Sequence, residues 1–400
     1  MDFGRLSRVA CLVLGALLAQ PARRNVRYLD LSPAIRQLLA VAGVNAGDFD
    51  GYLGRVEAST GERVREGEND HLIFYVLQSQ EFTNTARIEP ALSAKQFVES
   101  STIPRAARQR LDQFAKSTID TERFAYFRSL LPRDDPRGYL EEQYARAMKS
   151  LYAKEFDAMP NYYQTRGHST DTQISANYAL WTALSVLKAS RPGLRIERVL
   201  IVGPGLDIAP RTDLVDRYPP QSYQPYATSQ SILDLGLAEM PRIECVDINE
   251  RVIRFIRDFP HRSELKLAFR MPRGDPDFEA WTTGMATKLA SVPLEMGRAV
   301  TAQKLNIITQ RLESTYDLVV ATNILVYLND TESLLAIANI ESMLGPGGYF
   351  IHNEPRAAIG QHALAAGLSP LQARTVRIGQ GTKAPLYDAF AIYEKPAIRK

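Results

Sequence analysis

The feature that most constrains the fold is a glycine turn that directly follows an apolar run. The run Arg198–Val202 has the sequence RVLIV, and it ends at Gly203-Pro204-Gly205. Short apolar runs rich in β-branched residues are typical of strands that are buried on both faces of a parallel sheet. Glycines after such a strand permit a sharp turn and a close approach of the backbone to a ligand. The sequence therefore predicts a buried strand with a ligand site at its carboxyl end.

This turn departs from the two common nucleotide-binding patterns. In the dinucleotide pattern G-x-G-x-x-G a third glycine would stand at position 208, where this chain has Ile208. The phosphate-binding pattern fails as well, because no Gly-Lys-Ser or Gly-Lys-Thr follows Gly205. A nicotinamide-dependent oxidoreductase is disfavoured on this ground, although it stays an alternative.

A second apolar run, residues 242–246, ends at Asp247, and Asn249 then begins a helical pattern. A carboxylate at the end of the second strand of an α/β sheet is well placed to accept two hydrogen bonds from the hydroxyls of a ribose. The alternative is that Asp247 caps the following helix. Both interpretations place this carboxylate at the same edge of the sheet as the glycine turn.

Strands and helices alternate through the rest of this half of the chain. The alternation predicts an α/β fold with a parallel sheet and crossover helices. Helices are expected at residues 172–189, after Asn249, and from Asp330 or Thr331 to Leu344. Further strands are expected at residues 305–309, 316–321, 349–355, 372–378 and 386–393, of which the last two form a terminal hairpin.

The N-terminal part of the chain, residues 25–157, carries no motif to which a chemical role can be attached. Helical spacing of apolar residues predicts helices at residues 32–42 and through most of residues 93–156. Residues 71–77, HLIFYVL, form a β-rich apolar run that indicates a strand. We therefore expect a mainly helical N-terminal domain, which a connecting loop and helix at residues 158–194 join to the second domain.

The first 24 residues have the layout of a secretory signal. Arg5 and Arg8 precede an apolar run at residues 9–19, which is too short to span a bilayer. Three arginines soon after the run oppose translocation, and no small-x-small cleavage site follows it. The alternative is an apolar helix that packs on the body of the protein, and both interpretations stay open.

Composition excludes several classes of protein. Hydrophobic residues make up 45% and charged residues 23% of the 400, as in ordinary soluble globular chains. The net charge of +3 gives no argument for a nucleic-acid partner. Cys11 and Cys245 are the only cysteines, so a disulfide framework and a cysteine-rich zinc site are excluded, and we expect no metal.

Four segments, taken in order, resemble the successive motifs of class I S-adenosylmethionine-dependent methyltransferases. They are VLIVGPGLD, ECVDIN, YDLVVATNILVYL and MLGPGGYFI. The motif after the fourth strand is similar to that of the chemotaxis-receptor glutamate methyltransferases. The resemblance covers residues 195–400 and implies a Rossmann-like, seven-stranded sheet with helices on both faces and an antiparallel last strand. Insertions near residues 207–241 and 270–304 lengthen this domain beyond the family's usual spacing.

The resemblance also implies that the cofactor is S-adenosylmethionine. Its methionine part would lie at Gly203, Pro204 and Gly205. Asp247 would bind the ribose hydroxyls, and Ile248 would pack on the adenine. The other cofactor contacts implied are Asp207 near the ammonium group, Thr309 and Gln310 at the adenine edge, and Thr322 and Asn323 at the sulfonium.

The implied reaction is in-line transfer of a methyl group to a small-molecule or protein acceptor. Alignment and desolvation are the enzyme's main tasks in such a reaction, and a base is needed only if the acceptor carries a proton. The candidate catalytic residues are Asn323, His168 and Tyr226, and His352 is a further candidate base. Each histidine can instead be structural, and Tyr226 can belong to an anchored loop.

Residues 1–24 also motivate an alternative function. S-adenosylmethionine is made in the cytosol, so a cytoplasmic location is expected for an enzyme that uses it. Residues 1–24 leave open that the chain is exported or contacts a membrane through a retained leader, and an exported chain would lack the cofactor. Such a chain would be a non-catalytic Rossmann-like binding or scaffold protein.

Overall fold

The structure is a computed structural model, and it describes residues 20–157, 159, 161–208, 219–261, 267, 275–380 and 384–397. This part of the chain contains nine strands and fourteen α-helices. The strands are β1 Arg23–Asn25, β2 Arg198–Val202, β3 Arg242–Asp247, β4 Val300–Lys304, β5 Gln310–Leu312, β6 Tyr316–Ala321, β7 Leu344–His352, β8 Ser369–Gln380 and β9 Pro385–Glu394. The helices are α1 Pro33–Val41, α2 Phe49–Gln78, α3 Pro90–Ser100, α4 Arg105–Lys116, α5 Glu122–Arg128, α6 Pro136–Glu155, α7 Tyr162–Thr165, α8 Ile174–Ser190, α9 Gln224–Asp234, α10 Glu250–Asp258, α11 Pro276–Leu289, α12 Leu294–Ala299, α13 Asp330–Met343 and α14 Ala357–Ala365.

Seven of the strands form one mixed sheet in the order β4-β3-β2-β6-β7-β9-β8. Strands β4, β3, β2, β6 and β7 run parallel to one another. The last strand, β9, runs antiparallel to both β7 and β8. The predicted α/β, Rossmann-like sheet of seven strands with an antiparallel last strand is therefore confirmed, and so is the terminal hairpin.

Each face of the sheet has its own hydrophobic core, because successive side chains of a strand point to opposite faces. In β2, Val199 and Ile201 belong to one core, whereas Leu200 and Val202 belong to the other. Helices cover both faces, which explains why RVLIV is apolar without alternation. The unbroken apolar sequence of β2 is thus explained by its central position in the sheet.

The mainly helical N-terminal region contributes to both cores. The C-terminal end of α2 packs with α3 to α6 in the core that contains Val199. Residues of α1 and the start of α2, such as Ile35, Leu39 and Phe49, pack in the core that contains Leu200. The predicted boundary near residue 157 thus separates two parts of the chain that share continuous apolar cores.

The short strand β1 attaches the start of the described chain to the second half. It pairs antiparallel with β5, with Arg23 opposite Leu312 and Asn25 opposite Gln310. The side-chain amide of Gln20 donates to the carbonyl of Ala302 at 2.7 Å. The predicted end of the leader, after residue 24, therefore falls inside a strand, and residues 1–19 lie outside the described part of the chain.

The strand expected at residues 71–77 is wrong. These residues form the last two turns of α2, which continues to Gln78. This end of the helix is surrounded by the hydrophobic core, because the apolar side chains of Leu72, Ile73 and Tyr75 are all fully buried. Burial by tertiary packing overrides β propensity here, since a short apolar run has no period that distinguishes a buried helix from a strand.

The strand expected at residues 305–309 is also wrong, because the third strand of the sheet is β4, which ends at Lys304. Residues 305–309 form a buried loop, and the side-chain amide of Asn339 donates to the carbonyls of Ile307 at 2.8 Å and Ile308 at 3.1 Å. These hydrogen bonds replace the ladder that the backbone would otherwise need. The apolar run is thus a loop whose carbonyls are satisfied by α13.

Candidate functional site

A cavity lies at the carboxyl ends of β2, β3, β4 and β6, where ligands bind in open α/β sheets. The loops that follow these strands form its floor, and two segments from outside the predicted sheet domain form the opposite wall. Its lining residues are Thr60, Val64, residues 168–172, Val202, Gly203, Gly205, Gln224, residues 246–249, residues 305–308, residues 322–324, Tyr327 and Leu328.

The glycine turn after β2 requires its glycines. Gly203 has φ of 65° and Gly205 has φ of 63°, a region that favours glycine. A Cβ on Gly203 would come within 2.1 Å of Ile324 Cδ1, and one on Gly205 within 2.9 Å of the carbonyl oxygen of Thr170. The turn therefore brings bare backbone to the cavity, as the sequence predicts.

Asp247 ends β3 with a buried carboxyl group that faces the cavity. Its Oδ1 accepts the backbone N–H of Asn249 at 2.7 Å. Burial raises the pKa of Asp247 to about 7, although hydrogen bonds from the backbone N–H groups of Asn249, Gly205 and Ile248 act in the opposite direction. The backbone hydrogen bonds therefore do not fully offset the cost of burying the ionised carboxylate. Further hydrogen-bond donors from a ligand would stabilise this ionised form.

The residues after β6 also face the cavity. The hydroxyl of Thr322 accepts a hydrogen bond from the Gln224 side chain at 2.6 Å. Asn323 has φ of 57°, a left-handed conformation that costs energy for a residue other than glycine. Its N–H donates to Asn353 Oδ1 at 2.8 Å, and Asn353 Nδ2 donates back to Asn323 Oδ1 at 2.8 Å. This reciprocal pair holds the strained residue at the mouth of the cavity.

The loop after β4 supplies the apolar side of the cavity through residues 305–308. Thr309 and Gln310, which were expected at the adenine edge, lie outside the lining. The hydroxyl of Thr309 donates to Glu57, and Gln310 lies in β5, where its side chain donates to Asn25 at 3.2 Å. They lie beyond the lining because β4 ends five residues before the end of the strand predicted there, so the strand-end loop begins earlier in the sequence.

Helix α2 from the N-terminal region forms part of the opposite wall. Thr60 and Val64 stand one turn apart on this helix and both line the cavity. The hydroxyl of Thr60 accepts a hydrogen bond from Asn306 Nδ2 at 3.1 Å, which joins α2 to the loop after β4. Arg63 bridges to Glu332 at 2.9 Å and so fixes the same turn of α2 to α13.

The loop at residues 168–172 completes this wall and packs closely on α2. A Cβ on Gly67 would lie 1.9 Å from the carbonyl oxygen of His168, and a Cβ on Gly167 would lie 2.3 Å from the amide nitrogen of Gly67. The other side of the loop is joined to the glycine turn, since the N–H of Leu206 donates to the carbonyl of Thr170 at 2.8 Å. The loop thus connects α2 to the end of β2.

A buried carboxylate of α2 also reaches the loop after β3. Asn249 Nδ2 donates to Glu68 Oε1 at 3.0 Å and to Thr170 Oγ1 at 2.9 Å. Glu68 Oε1 also accepts the Tyr126 hydroxyl at 2.7 Å and lies 3.4 Å from Arg251 Nε. Because Asn249 in turn binds Asp247 through its N–H, Glu68 acts on the position of Asp247 through one intervening residue.

His168 lines the cavity but is poorly suited to act as a base near neutral pH. Burial, together with the charge of Arg63, lowers its pKa to about 3. Its ring lies edge-on to Tyr327 with centroids 5.8 Å apart. A base is most effective when its pKa is near the working pH, so His168 is placed to contact a ligand rather than to take its proton.

Three more of the expected site residues do not line the cavity. Asp207 is buried, accepts the Tyr223 hydroxyl at 2.5 Å and lies 4.0 Å from Arg123 of α5. Tyr226 is fully buried in α9 with its ring 4.9 Å from that of Phe259. Pro204 is buried within the turn, between the two glycines that face the cavity. The side chain of Tyr226 packs against apolar residues, and that of Asp207 contacts Tyr223 and Arg123.

The structure therefore gathers part of the expected site and adds residues that the sequence did not reveal. Of the expected residues, Gly203, Gly205, Asp247, Ile248, Thr322, Asn323 and His168 line the cavity. Those missed include Thr60, Val64, Gln224, Tyr327, Leu328, residues 305–308 and the residues of 168–172 other than His168. Residues 160–170, PNYYQTRGHST, are polar and aromatic, which is a weak signal for part of the loop at 168–172. Contacts with α2 depend on tertiary packing.

The family model described as Nodulation protein S (NodS) matches residues 288–369. That range is 82 of the 400 residues and runs from the end of α11 to the start of β8. A search of curated protein sequences finds no match to the chain. The matched range contains the strand-end loops after β4 and β6 and therefore two sides of the cavity.

Solved structures similar to this chain include the N-methyltransferase NodS from Bradyrhizobium japonicum WM9. It has 16% sequence identity and a TM-score of 0.31, and the match covers 56% of this chain and 98% of that one. A TehB-like SAM-dependent methyltransferase from Corynebacterium glutamicum has 13% identity and a TM-score of 0.32, with 64% of this chain and 99% of that one covered.

The strand order and the matched family model together confirm the resemblance to class I S-adenosylmethionine-dependent methyltransferases. The closer similarity to chemotaxis-receptor enzymes stays a prediction. Within the described residues, no helix is long and apolar enough to cross a membrane, and no group of acidic, histidine or cysteine side chains could hold a metal ion.

Proposed function

We propose that the protein transfers a methyl group from S-adenosylmethionine, bound in this cavity, to an acceptor at its mouth. The observation that carries the proposal is the joint placement of Gly203, Gly205 and Asp247. Two glycines expose backbone at the end of one strand, and a buried carboxylate ends the neighbouring strand. This arrangement suits a ligand that combines a ribose with a charged amino-acid part.

The chemistry of the lining fits this cofactor. Asp247 is buried with a pKa raised to about 7, so it gains when two ribose hydroxyls donate to its oxygens. The apolar side chains of Ile248, Leu305, Ile307 and Ile308 provide a surface for a flat adenine ring. Gly203 and Gly205 line the cavity with backbone alone, which suits a close approach of the methionine part.

In the reaction, S-adenosylmethionine supplies a methyl group bonded to a positively charged sulfur, which is a good leaving group. The contribution of this chain is to orient the two reactants and to exclude water. Asn323 is held in a strained conformation by Asn353 and stands where the resemblance implies the sulfonium lies. We infer that its side chain positions the acceptor rather than moving a proton.

We further propose that the acceptor is a small molecule or a protein side chain and that nucleic acid is not a partner. The weak net charge of +3 supports this, because nucleic-acid binding relies on a concentrated positive surface. His168 is a weak base near pH 7, because its pKa is lowered to about 3, and we therefore infer that the acceptor does not rely on His168 to remove a proton. An acceptor that is deprotonated in solution satisfies this condition.

Calorimetric titration with S-adenosylmethionine and with S-adenosylhomocysteine tests the proposal. We expect both to bind at micromolar concentration and Asp247→Ala to weaken binding at least tenfold, by analogy with the loss of a charge-assisted hydrogen bond of about 1.5–3 kcal/mol. Asp234→Asn is the matched control, because this carboxylate pairs with Lys288 on the surface and is remote from the cavity. Absence of heat with the wild-type protein would contradict the proposal and favour a non-catalytic scaffold.

We propose a cytoplasmic location, supported by the need for S-adenosylmethionine. The pairing of β1 with β5 favours retention of residues 20–25 in the working protein. Cell fractionation with N-terminal sequencing is the test. A chain recovered outside the cytoplasm, cleaved after residue 24, would contradict both the location and the enzymatic proposal.

A further inference from the structure

A second cavity, which is open to solvent, lies at the opposite end of the sheet from the cofactor cavity. It is bounded by the first residue of β2 and by the turn between β5 and β6, whereas the cofactor cavity lies where β2 and β6 end. Arg24, Arg198 and Arg311 line it, and Glu313 is the acidic residue among its described lining residues. The lining therefore carries three positive charges against one negative charge.

Two of these arginines face each other across the short two-stranded sheet. Arg24 of β1 stands directly opposite Arg311 of β5. Like charges at opposite positions of an antiparallel pair destabilise it, so this pairing needs a compensating negative charge. Asp30 supplies part of that charge, because its carboxylate lies 2.6 Å from Arg24 Nη1 and 3.0 Å from Arg311 Nη2.

Asp30 is shared by too many cations to neutralise them all. Arg27 also pairs with it at 2.9 Å, so three guanidinium groups surround one carboxylate. Only 9% of the Arg311 side chain is exposed. Burial and the charges of the other two arginines lower the pKa of Arg311, although Asp30 acts in the opposite direction. The cluster thus keeps an excess of positive charge, which a bound anion would offset.

The neighbouring carboxylates do not remove this excess. Glu313 lies 3.7 Å from Arg24 Nε, and its side chain is half-exposed, so solvent screens the contact. Glu341 is already paired with Lys395 at 2.9 Å. Four arginines of the cluster therefore face two carboxylates, which leaves a surplus of two positive charges.

Arg198 bounds the cavity on the side of the seven-stranded sheet. Its guanidinium lies over the ring of Tyr316, 5.5 Å from the centroid, and donates to the hydroxyl of Ser314. The nearby carboxylate of Asp317 accepts the backbone N–H of Arg198 at 2.9 Å, which leaves the guanidinium to the cavity. Ser314 and Thr315 add hydroxyl groups to the same lining.

A phosphate group matches this cavity in charge and in hydrogen bonding. A phosphomonoester carries about two negative charges near neutral pH and has three strong acceptor oxygens. Guanidinium groups bind such oxygens through two parallel hydrogen bonds, and hydroxyl groups supply further donors. The cofactor cavity is a poor match, since its described lining carries Asp171 and Asp247 and no lysine or arginine.

We propose that the second cavity binds the phosphate group of a small molecule, with Arg24, Arg198 and Arg311 as its cationic partners. The ligand is free phosphate or a small phosphomonoester, and the hydroxyls of Ser314 and Thr315 donate to its remaining oxygens. This site is independent of the proposed methyl transfer, because it lies at the other ends of β2 and β6.

The test is a calorimetric titration of the full-length protein with inorganic phosphate and with glycerol 3-phosphate at pH 8, where a phosphomonoester is a dianion. We expect sub-millimolar binding of at least one of them at constant ionic strength. Tighter binding of glycerol 3-phosphate would identify an ester as the ligand, and the reverse would identify free phosphate. Acetate, with a single charge, should give no saturable heat. Absence of binding by both phosphates would overturn the proposal.

Three variants with different expected effects separate the proposal from misfolding, since each changes an exposed side chain and should unfold near the wild-type temperature. Arg198→Gln should weaken phosphate binding about tenfold. Glu313→Gln should tighten it about threefold, because it removes the carboxylate that competes for Arg24. Arg27→Gln is the matched control, since Arg27 pairs with Asp30 but does not line the cavity. Equal losses in Arg198→Gln and Arg27→Gln would contradict direct binding.

Titration in the presence of saturating S-adenosylhomocysteine locates the phosphate. Its affinity should be unchanged, because the lining residues of the two cavities do not overlap. Phosphate binding that S-adenosylhomocysteine abolishes would place the phosphate in the cofactor cavity and overturn the proposal. If phosphate binds and S-adenosylhomocysteine does not, the cofactor assignment fails and the phosphate site stands.

Discussion

The cofactor cavity is built by two regions of the molecule that differ in how clearly the sequence indicates them. The strand-end loops of the sheet carry Gly203, Gly205 and Asp247, which stand in recognisable positions after apolar strands. Helix α2 carries Thr60 and Val64 on an ordinary-looking helical sequence, yet it forms the opposite wall. The comparison teaches that a site can be half visible in a sequence, because one half depends on local chain geometry and the other on tertiary contacts.

If α2 is as important as the sheet loops, a change that separates it from the loop at residues 168–172 should be the most damaging. We expect Gly67→Ala to lower the affinity for S-adenosylhomocysteine about a hundredfold and the stability by about 3 kcal/mol, a large value for a single substitution. The reason is the clash of the new Cβ, 1.9 Å from the carbonyl oxygen of His168. Calorimetry and thermal unfolding measure the two effects.

Gly61→Ala is the matched control on the same helix. A Cβ at Gly61 would meet nothing within 4 Å, so this variant should gain about 0.5–1 kcal/mol from better helix propensity and bind the cofactor normally. Equal behaviour of the two alanine variants would show that contact between α2 and the loop does not shape the cavity.

The sheet side of the comparison is tested by pH. Because the pKa of Asp247 is raised to about 7 and ribose binding favours its ionised form, we expect affinity for S-adenosylhomocysteine to fall about tenfold for each pH unit below 7. In Asp247→Asn this slope should be absent. A wild-type affinity that is constant between pH 5 and pH 8 would contradict the role of Asp247.

The same raised pKa affects stability without cofactor. Between the unfolded pKa of 3.8 and the folded pKa of about 7, the folded protein binds the extra proton, so this group makes the protein less stable as pH rises through that window. Asp247→Asn should remove this contribution.

The smallest expected effect concerns the link between the two regions. Glu68→Gln keeps the shape of the side chain but weakens its hydrogen bond to Asn249, so we expect about a fivefold loss of cofactor affinity, equivalent to about 1 kcal/mol. Glu62→Gln, an exposed change on the same helix, should have no effect. A loss in both variants would indicate a general effect of charge on α2 rather than positioning of Asp247.

The fold of the second half was largely predictable from the sequence because its strands are central and locally marked. Strands β2 and β6 have the predicted bounds, and Asp247 ends β3 as expected. The third strand was misplaced because β4 lies at the sheet edge, where its sequence VTAQK is half polar, whereas the buried loop after it is more apolar. An apolar run indicates that a segment is buried, and a buried segment can be a loop as well as a strand.

The site was predictable where one residue determines its own geometry. Gly203 and Gly205 need positive φ, and this need appears as glycine in the sequence. The close approach of Gly67 and Gly167 also needs glycine, but nothing local distinguishes Gly67 from the other glycines of α2. Likewise the burial of Tyr226 against Phe259 results from tertiary packing, and the neighbouring residues in the sequence do not indicate it.

Hydrogen–deuterium exchange with and without S-adenosylhomocysteine tests most directly whether both regions build one cofactor site. We predict increased protection in the loops after β2 and β3 and, to a comparable degree, in residues 168–172 and the turn of α2 that carries Thr60 and Val64. Protection confined to the strand-end loops would contradict the role of α2, and protection in neither region would contradict the cofactor site itself.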